Sequence, residues 1–140
     1  MNKLWLRDSK GREEGTSEAP LISVVDDDVS VRRSTQRLLR SSGLRAEAFA
    51  SADDFLQSGR VAETACLLLD VRMPGMDGLE LQRRLAEAEW LTPIVFLSAR
   101  ASEDQERRAL GVGAVGFLRK PVSKEALLHA IRDALKRSII

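Results

Sequence analysis

Cysteine and histidine are nearly absent from this chain of 140 residues, which contains one of each, Cys66 and His129. A single cysteine excludes a disulfide within the chain. Because Cys66 begins the apolar run that ends at Leu69, we expect a small core residue rather than a redox sensor. A zinc site would need several nitrogen or sulfur ligands, whereas each of these residues stands alone. We expect His129 to lie on a helix surface rather than to donate phosphate.

Neither an excess of one charge nor a long apolar run is present. The 22 basic and 21 acidic residues give a net charge of +1, and the basic residues are scattered among acids. Nothing in this balance attracts nucleic acid or an anionic lipid surface. The apolar runs are too short to span a bilayer, and Leu4-Trp5-Leu6 is too short for a signal-peptide core. We therefore expect a cytoplasmic protein without direct contact to nucleic acid or membrane.

The composition is typical of one globular domain, with 44% hydrophobic and 31% charged residues. Residues 1–19 lack hydrophobic periodicity and are rich in Gly, Ser, Glu, Lys and Arg, which predicts a disordered N-terminal tail. Residues 20–140 would form the folded domain. The stated length favours a stand-alone domain over an excised piece of a longer transcription factor.

Five short apolar runs alternate with helical patterns from residue 21 onwards, which predicts a (βα)₅ parallel sheet covered by helices on both faces. Four of the five runs are mainly apolar, which is typical of buried strands. In the second run along the chain, apolar residues alternate with charged ones, which is typical of an edge strand. The predicted strands are Leu21–Val25, Leu44–Phe49, Cys66–Leu69, Ile94–Leu97 and Ala114–Leu118.

Helix boundaries are marked by capping residues and glycines. The predicted N-caps are Ser51, Asp77, Ser102 and Ser123, and Gln105 would complete a capping box with Ser102. Gly43 and Gly59 stand where helices should end. The helix from about Ser102 to Leu110 has the thinnest apolar face.

Polar residues follow four of the predicted strands, and the carboxyl ends of parallel strands meet at one edge of a sheet. These residues are Asp26 and Asp27, Asp70, Ser98, and Lys120. Neighbouring carboxylates repel one another and need a cation, and oxygen ligands suit Mg²⁺. A carboxylate can also act as a nucleophile and form an aspartyl phosphate, with a lysine and a hydroxyl to hold the phosphoryl oxygens.

Each of these residues has a simpler interpretation. Asp26, Asp27 and Asp28 could only cap the next helix, Asp70 could be a turn residue, Lys120 could lie on the surface, and Ser98 could be a loop hydroxyl. Their joint occurrence at four strand ends favours the functional interpretation.

With these residues in these positions, the chain resembles the response-regulator receiver domains of two-component signalling, above all those of nitrogen-fixation-type transcriptional regulators. The resemblance covers about residues 21–136. The stretches that carry it are VVDDDVSVRR (24–33), FASADDFL (49–56), LDVRMPGMDGLEL (69–81) and GAVGFLRKP (113–121).

The resemblance implies a flavodoxin-like sheet with strand order 2-1-3-4-5 and a phosphoacceptor, not an enzyme, that catalyses only its own phosphorylation and slow dephosphorylation. Its donor would be a histidine kinase or a phosphotransfer protein. Asp70 would be phosphorylated, and Mg²⁺, or Mn²⁺ in its place, would be bound by Asp26, Asp27, Asp70 and the backbone carbonyl of Arg72.

Further roles implied by the resemblance concern the response to the phosphate. Ser98 would be the switch hydroxyl, Lys120 would pair with the phosphoryl group before a cis bond to Pro121, and Phe117 would be the switch aromatic. A permanently buried core phenylalanine is the alternative for Phe117. Helix 4, strand 5 and helix 5 would form the output face, where charge pairs could mediate a homodimer or the face could simply be solvated. Arg72 and Arg100 would slow phosphate loss by hindering water.

Three other functions compete with that of a receiver. A phosphatase with an aspartyl nucleophile would need an acid two residues after Asp70, where Arg72 stands. A dinucleotide-binding loop is suggested by Gly111-Val-Gly113-Ala-Val-Gly116, but this motif follows a helix and enters a strand. A pseudo-receiver, a protein-binding module that never gains phosphate, typically lacks one of the acids or the lysine.

Overall fold

The computed structural model describes residues 19–138. The predicted tail, apart from residue 19, lies outside the described residues. The strands are β1 (Leu21–Val25), β2 (Arg45–Phe49), β3 (Thr64–Leu69), β4 (Ile94–Ser98) and β5 (Gly116–Arg119). The helices that follow them are α1 (Val29–Ser41), α2 (Ala52–Gln57), α3 (Gly78–Glu87), α4 (Glu103–Val112) and α5 (Lys124–Ser138).

The five strands form one parallel sheet in the order β2-β1-β3-β4-β5, which confirms the predicted fold class. β2 is an edge strand, as its alternating pattern predicted. Phe55 of α2, Leu81 of α3 and Ala109 of α4 are buried in the core on one face of the sheet. Leu39 of α1 and Ile131 of α5 are buried in the core on the other face. Helices therefore cover both faces, and the carboxyl edge stays accessible between their ends.

Local capping chemistry sets the helix starts, as predicted. Backbone N–H groups donate to the side chains of Ser51, Asp77, Ser102 and Ser123 at the starts of α2, α3, α4 and α5. The side chain of Gln105 accepts in return from the N–H of Ser102, which completes the capping box. Each of these bonds satisfies a backbone donor that a helix start leaves unpaired.

The glycine-rich stretch before β5 ends a helix rather than opening one. Gly113 caps the C-terminus of α4 at φ 123°, a backbone conformation that favours glycine. The turn moves the start of β5 two residues later than the prediction, from Ala114 to Gly116. The dinucleotide-binding alternative therefore has the wrong structural context.

Burial decides the expected role of Cys66. Cys66 is fully buried, and burial raises the pKa of its thiol to about 12, so it is a core residue with no accessible thiolate. Within residues 19–138, no helix has the length and apolar character needed to cross a membrane.

Candidate functional site

Three carboxylates lie together at the carboxyl edge of the sheet. Carboxylate oxygens of Asp26, Asp27 and Asp70 lie within 4.8 Å of one another. β1 and β3 are adjacent, with Val25 opposite Leu69, so the residue after each strand reaches the same point. The N–H of Asp70 donates to the carbonyl of Val25 at 3.0 Å, which holds the two strand ends together. Asp26 and Asp70 are buried, whereas Asp27 is exposed.

Asp28 is separated from this cluster by its role in capping. Its side chain accepts hydrogen bonds from the N–H groups of Ser30 at 2.9 Å and Val31 at 3.2 Å, which makes it the N-cap of α1. Its own N–H donates to Asp26 Oδ1 at 2.9 Å. The capping interpretation of the three acids is therefore correct for Asp28, while Asp26 and Asp27 belong to the carboxylate cluster.

Lys120 provides the positive charge at this cluster. Its Nζ lies 2.7 Å from Asp26 Oδ2 and 3.7 Å from Asp70 Oδ2, and its side chain is only 17% exposed. Its backbone N–H donates to the carbonyl of Ser98 at 3.0 Å, which anchors the end of β5 to the end of β4. The Lys120–Pro121 peptide bond is cis, as the resemblance implied.

Two buried polar atoms at this edge lack a partner. Asp70 Oδ1 and Ser98 Oγ are the buried side-chain nitrogen or oxygen atoms, within the described part of the chain, that make no hydrogen bond. An unsatisfied buried polar atom costs about 1–3 kcal/mol. Both residues line one cleft, together with Asp27, Asp28, Arg72, Ala99, Arg100 and Lys120. The unpaired atoms therefore mark this cleft as a place where a polar ligand would be stabilised.

The donor set of the cleft fits a hard divalent cation. Three carboxylates supply oxygen ligands close to one another, and one lysine offsets only part of their negative charge. Mg²⁺ prefers a few carboxylates, with water and phosphate oxygens completing its shell. The residues predicted as metal ligands are therefore chemically suitable for Mg²⁺, and the carbonyl of Arg72 as a further ligand stays a prediction.

Arg72 and Arg100 lie beside each other at the mouth of the cleft. Arg72 Nη1 donates to the backbone carbonyl of Arg100 at 3.0 Å, and both residues are exposed. This bond links the loop after β3 to the loop after β4. The role of these two arginines in slowing phosphate loss stays a prediction.

The electrostatic environment raises the pKa of the Asp70 carboxyl. Burial is the main cause, and the charge of Asp26 adds to it, while Lys120 opposes both. A raised pKa in the folded state means that the ionised carboxylate costs stability. This cost is absent below the carboxyl's ordinary pKa and is fully present once the pH has risen through its folded-state value.

We therefore expect Asp70→Asn to stabilise the protein by about 1 kcal/mol at pH 7 in a metal-free buffer, because it removes a buried charge beside Asp26. The difference should shrink as the pH falls through the raised pKa of the Asp70 carboxyl, because the wild-type side chain then becomes neutral as well. Urea unfolding at several pH values measures this. A variant that is less stable than the wild type at pH 7 would show that the Lys120 contact outweighs the repulsion.

Phe117 lies on β5, paired with Phe96 of β4, and is half-buried. The Phe117 ring stacks on that of Phe96, with 5.6 Å between the ring centroids. The guanidinium carbon of Arg119 lies 5.4 Å from the centroid of the Phe117 ring. A fully enclosed core phenylalanine does not match this burial. Its role as a switch stays a prediction.

Comparison with known proteins agrees with this geometry. Residues 22–132 match the family model described as the response regulator receiver domain. The chain belongs to the response regulator receiver family. Membership supports a phosphoacceptor role in two-component signalling.

Individual receiver-containing relatives are similar over most of the chain. Response regulator protein TmoT of Ectopseudomonas mendocina is 43% identical over 90% of this chain and 57% of its own length. Transcriptional regulatory protein FixJ of Azorhizobium caulinodans, a nitrogen-fixation regulator, is 37% identical over 84% of this chain and 56% of its own length. The structure of response regulator StyR superposes with a TM-score of 0.80 at 44% identity, over 86% of this chain and 61% of that one.

This receiver chain spans just over half the length of the curated relatives it matches. The matched relatives are regulators rather than enzymes, which agrees with the prediction of a signalling module. The resemblance to receivers of nitrogen-fixation-type regulators is confirmed.

Two residues that lie outside the cleft, but contact segments next to it, had no role predicted from the sequence. Gly78 begins α3, and its missing side chain leaves room for the backbone carbonyl of Asp70. Arg119 contacts the loop after β4, α4 and Phe117. The Asp77-Gly78 pair at a helix start was a usable signal for Gly78, whereas one arginine among 22 basic residues gave none for Arg119.

Proposed function

We propose that this receiver, formed by residues 20–140, accepts a phosphoryl group on Asp70 from a histidine kinase or a phosphotransfer protein. Asp26, Asp27, Asp70 and the carbonyl of Arg72 would hold Mg²⁺. One observation carries the proposal: Asp70 Oδ1 and Ser98 Oγ are buried without partners in a cleft that also contains Lys120 and the carboxylate cluster. A carboxylate, a hydroxyl and an ammonium are the groups that an aspartyl phosphate needs around it.

The transfer follows from the chemistry of these side chains. A carboxylate oxygen of Asp70 attacks phosphorus, the phosphorus–nitrogen bond to the donor imidazole breaks, and the imidazole nitrogen keeps the electron pair. Mg²⁺ would neutralise charge on the carboxylates and on the phosphoryl oxygens. Lys120, already 3.7 Å from Asp70, moves its charge from Asp26 toward the new phosphoryl group, and Ser98 donates its hydroxyl proton to a phosphoryl oxygen.

The output would pass through the face formed by α4, β5 and α5. Binding of a phosphoryl oxygen by Ser98 pulls on the loop after β4, and Phe117 would follow by turning inward. Within this face Glu106 is paired with Arg119, and Asp104 with Arg107. Because these side chains already form ion pairs within one chain, they are less available for ion pairs between two chains. A face that is exposed to solvent is therefore the alternative to a homodimer.

The direct test is phosphorylation by a small donor. The protein is incubated with acetyl phosphate and Mg²⁺, and its intact mass is measured. We expect one phosphoryl adduct, which disappears in Asp70→Ala and when a chelator is present. No adduct under any of these conditions would favour the pseudo-receiver, and repeated turnover of phosphate esters would favour the phosphatase.

The arginines at the cleft mouth give a further prediction. Replacing both Arg72 and Arg100 with alanine should shorten the half-life of the phosphoprotein several-fold, because the Arg72 side chain and its bond to the Arg100 loop no longer cover the approach of water. Loss of the adduct with time, followed by intact mass, measures this. Arg132→Ala on α5 is the matched control, because Arg132 is exposed and does not line the cleft. An unchanged half-life in the double variant would refute the shielding role.

A further inference from the structure

Arg119 lies on β5, and its side chain donates hydrogen bonds to the loop after β4 and to α4. Its Nη1 donates to the backbone carbonyl of Ala101 at 2.7 Å, and its Nη2 donates to Glu106 Oε1 at 2.8 Å. Ala101 lies in the loop between β4 and α4, and Glu106 lies in the first turn of α4. A planar guanidinium can make both bonds at once because its donors form a rigid fork.

The same guanidinium also covers Phe117. Residues 117 and 119 are two apart on β5, so their side chains lie on the same face of the sheet. The Arg119 guanidinium carbon lies 5.4 Å from the centroid of the Phe117 ring, within the range of a cation–π contact. One side chain therefore contacts the predicted switch aromatic, the loop and the helix.

The position of Arg119 relative to Ser98 makes these contacts relevant to the phosphate. Ser98 and Arg119 are directly paired between β4 and β5. Ala101, whose carbonyl Arg119 holds, is three residues after Ser98 and is buried. A shift of Ser98 toward a phosphoryl oxygen must move this loop, so it must either stretch the bond from Arg119 to Ala101 or displace Arg119 itself.

We propose that Arg119 is a positioning residue that couples the loop after Ser98 to Phe117 and to α4. The inference rests on the proposed phosphoacceptor function and adds to it the side chain that transmits the event. Displacement of the Ala101 carbonyl withdraws the guanidinium from Phe117 and from Glu106 together, because all three contacts involve the same rigid group. The ring and the first turn of α4 then respond as one unit, which is the requirement for coupling between two sites.

The contribution of Arg119 to overall stability should be small. The side chains of Arg119 and Glu106 are 43% and 34% exposed, and ion pairs of such exposure contribute little. A variant at this position should therefore fold and retain the carboxylate cluster, which Arg119 does not contact. This separates a loss of coupling from a loss of structure.

The test compares the full chain with Arg119→Met, which keeps an unbranched stem but removes every donor. Beryllofluoride with Mg²⁺ serves as the phosphoryl probe, and amide hydrogen exchange reports on α4 and β5. In the wild type we expect the probe to change exchange in both elements. In Arg119→Met we expect the probe to bind within about threefold of the wild-type affinity, whereas the change in α4 falls at least fivefold.

Matched controls make the outcomes distinct. Arg83→Met on α3 removes an exposed ion-paired arginine with no contact to the loop and should respond as the wild type does. Arg119→Lys should behave as Arg119→Met, because an ammonium lacks the rigid fork. An undiminished α4 response in Arg119→Met, or a full response in Arg119→Lys, would overturn this inference alone. Failure of the wild type to bind the probe would overturn the proposed function and this inference with it.

Discussion

Replacing Gly78 with alanine should lower the free energy of unfolding by about 3 kcal/mol, the upper range for overpacking a closed site. A Cβ at this position would lie 2.1 Å from the backbone oxygen of Asp70, 3.0 Å from its carbonyl carbon and 3.1 Å from a ring carbon of Phe96. Two of these atoms belong to backbone that β3 and the start of α3 hold in place, so they cannot move aside at low cost. The N–H of Gly78 also donates to the carbonyl of Val71 at 2.8 Å, which fixes the approach of the helix.

The substitution should also impair the site, because relief of the clash displaces the residue that carries the phosphoacceptor carboxylate. We expect slower phosphorylation by acetyl phosphate in whatever fraction of Gly78→Ala is folded. Chemical unfolding measures the first effect and intact mass the second.

Gly111→Ala is the matched control. Gly111 lies inside α4, and a Cβ added there would have no atom within 4 Å. There we expect stabilisation by about 0.5–1 kcal/mol. Equal free energies of unfolding for the two variants would contradict the prediction, because α3 would then be able to shift away from Asp70 without loss of stability.

Replacing Lys120 with methionine should have two opposed effects. Without divalent cations, we expect a loss of about 3 kcal/mol in the free energy of unfolding, because Asp26, whose side chain is only 4% exposed, loses its partner beside Asp70. With Mg²⁺, part of this loss should be recovered, since the metal would then be the main positive charge at three carboxylates. The gain in stability on adding Mg²⁺ should therefore be larger in the variant than in the wild type.

Phosphorylation of Lys120→Met should nonetheless slow by a factor of about 100 or more, the usual cost of removing one group that stabilises developing charge. The rate of adduct formation with acetyl phosphate at saturating Mg²⁺ measures this. Lys124→Met, which removes an exposed lysine at the start of α5, controls for the loss of one positive charge. A Lys120 variant phosphorylated at the wild-type rate would remove the lysine from the proposed chemistry.

The placement of the site could be predicted because it depends on features that short stretches of sequence encode. Apolar runs ending at Val25, Leu69 and Leu97 predicted parallel strands, and parallel strands bring their carboxyl ends to one edge. The start of α3 at Asp77 could be predicted for the same reason, since a capping bond involves residues only three apart. The predicted start of β5 was less accurate than the other predictions. The turn at Gly113 and the pairing with β4 determine where that strand begins.

The sequence was sufficient to predict the alternation of strands and helices and the helix starts. It also predicted that Asp26, Asp27, Asp70, Ser98 and Lys120 meet at one edge if their strands are neighbours. The elements and helix starts follow from hydrophobic period and capping, which act between near neighbours along the chain. The strand order that brings the five residues together was implied by the family resemblance and is confirmed by the sheet. Contacts between distant segments place Lys120 closer to Asp26 than to Asp70, and bring α3 against the Asp70 carbonyl through Gly78. Those outcomes depend on side-chain rotamers and on packing between segments distant in sequence, so no local pattern could have encoded them.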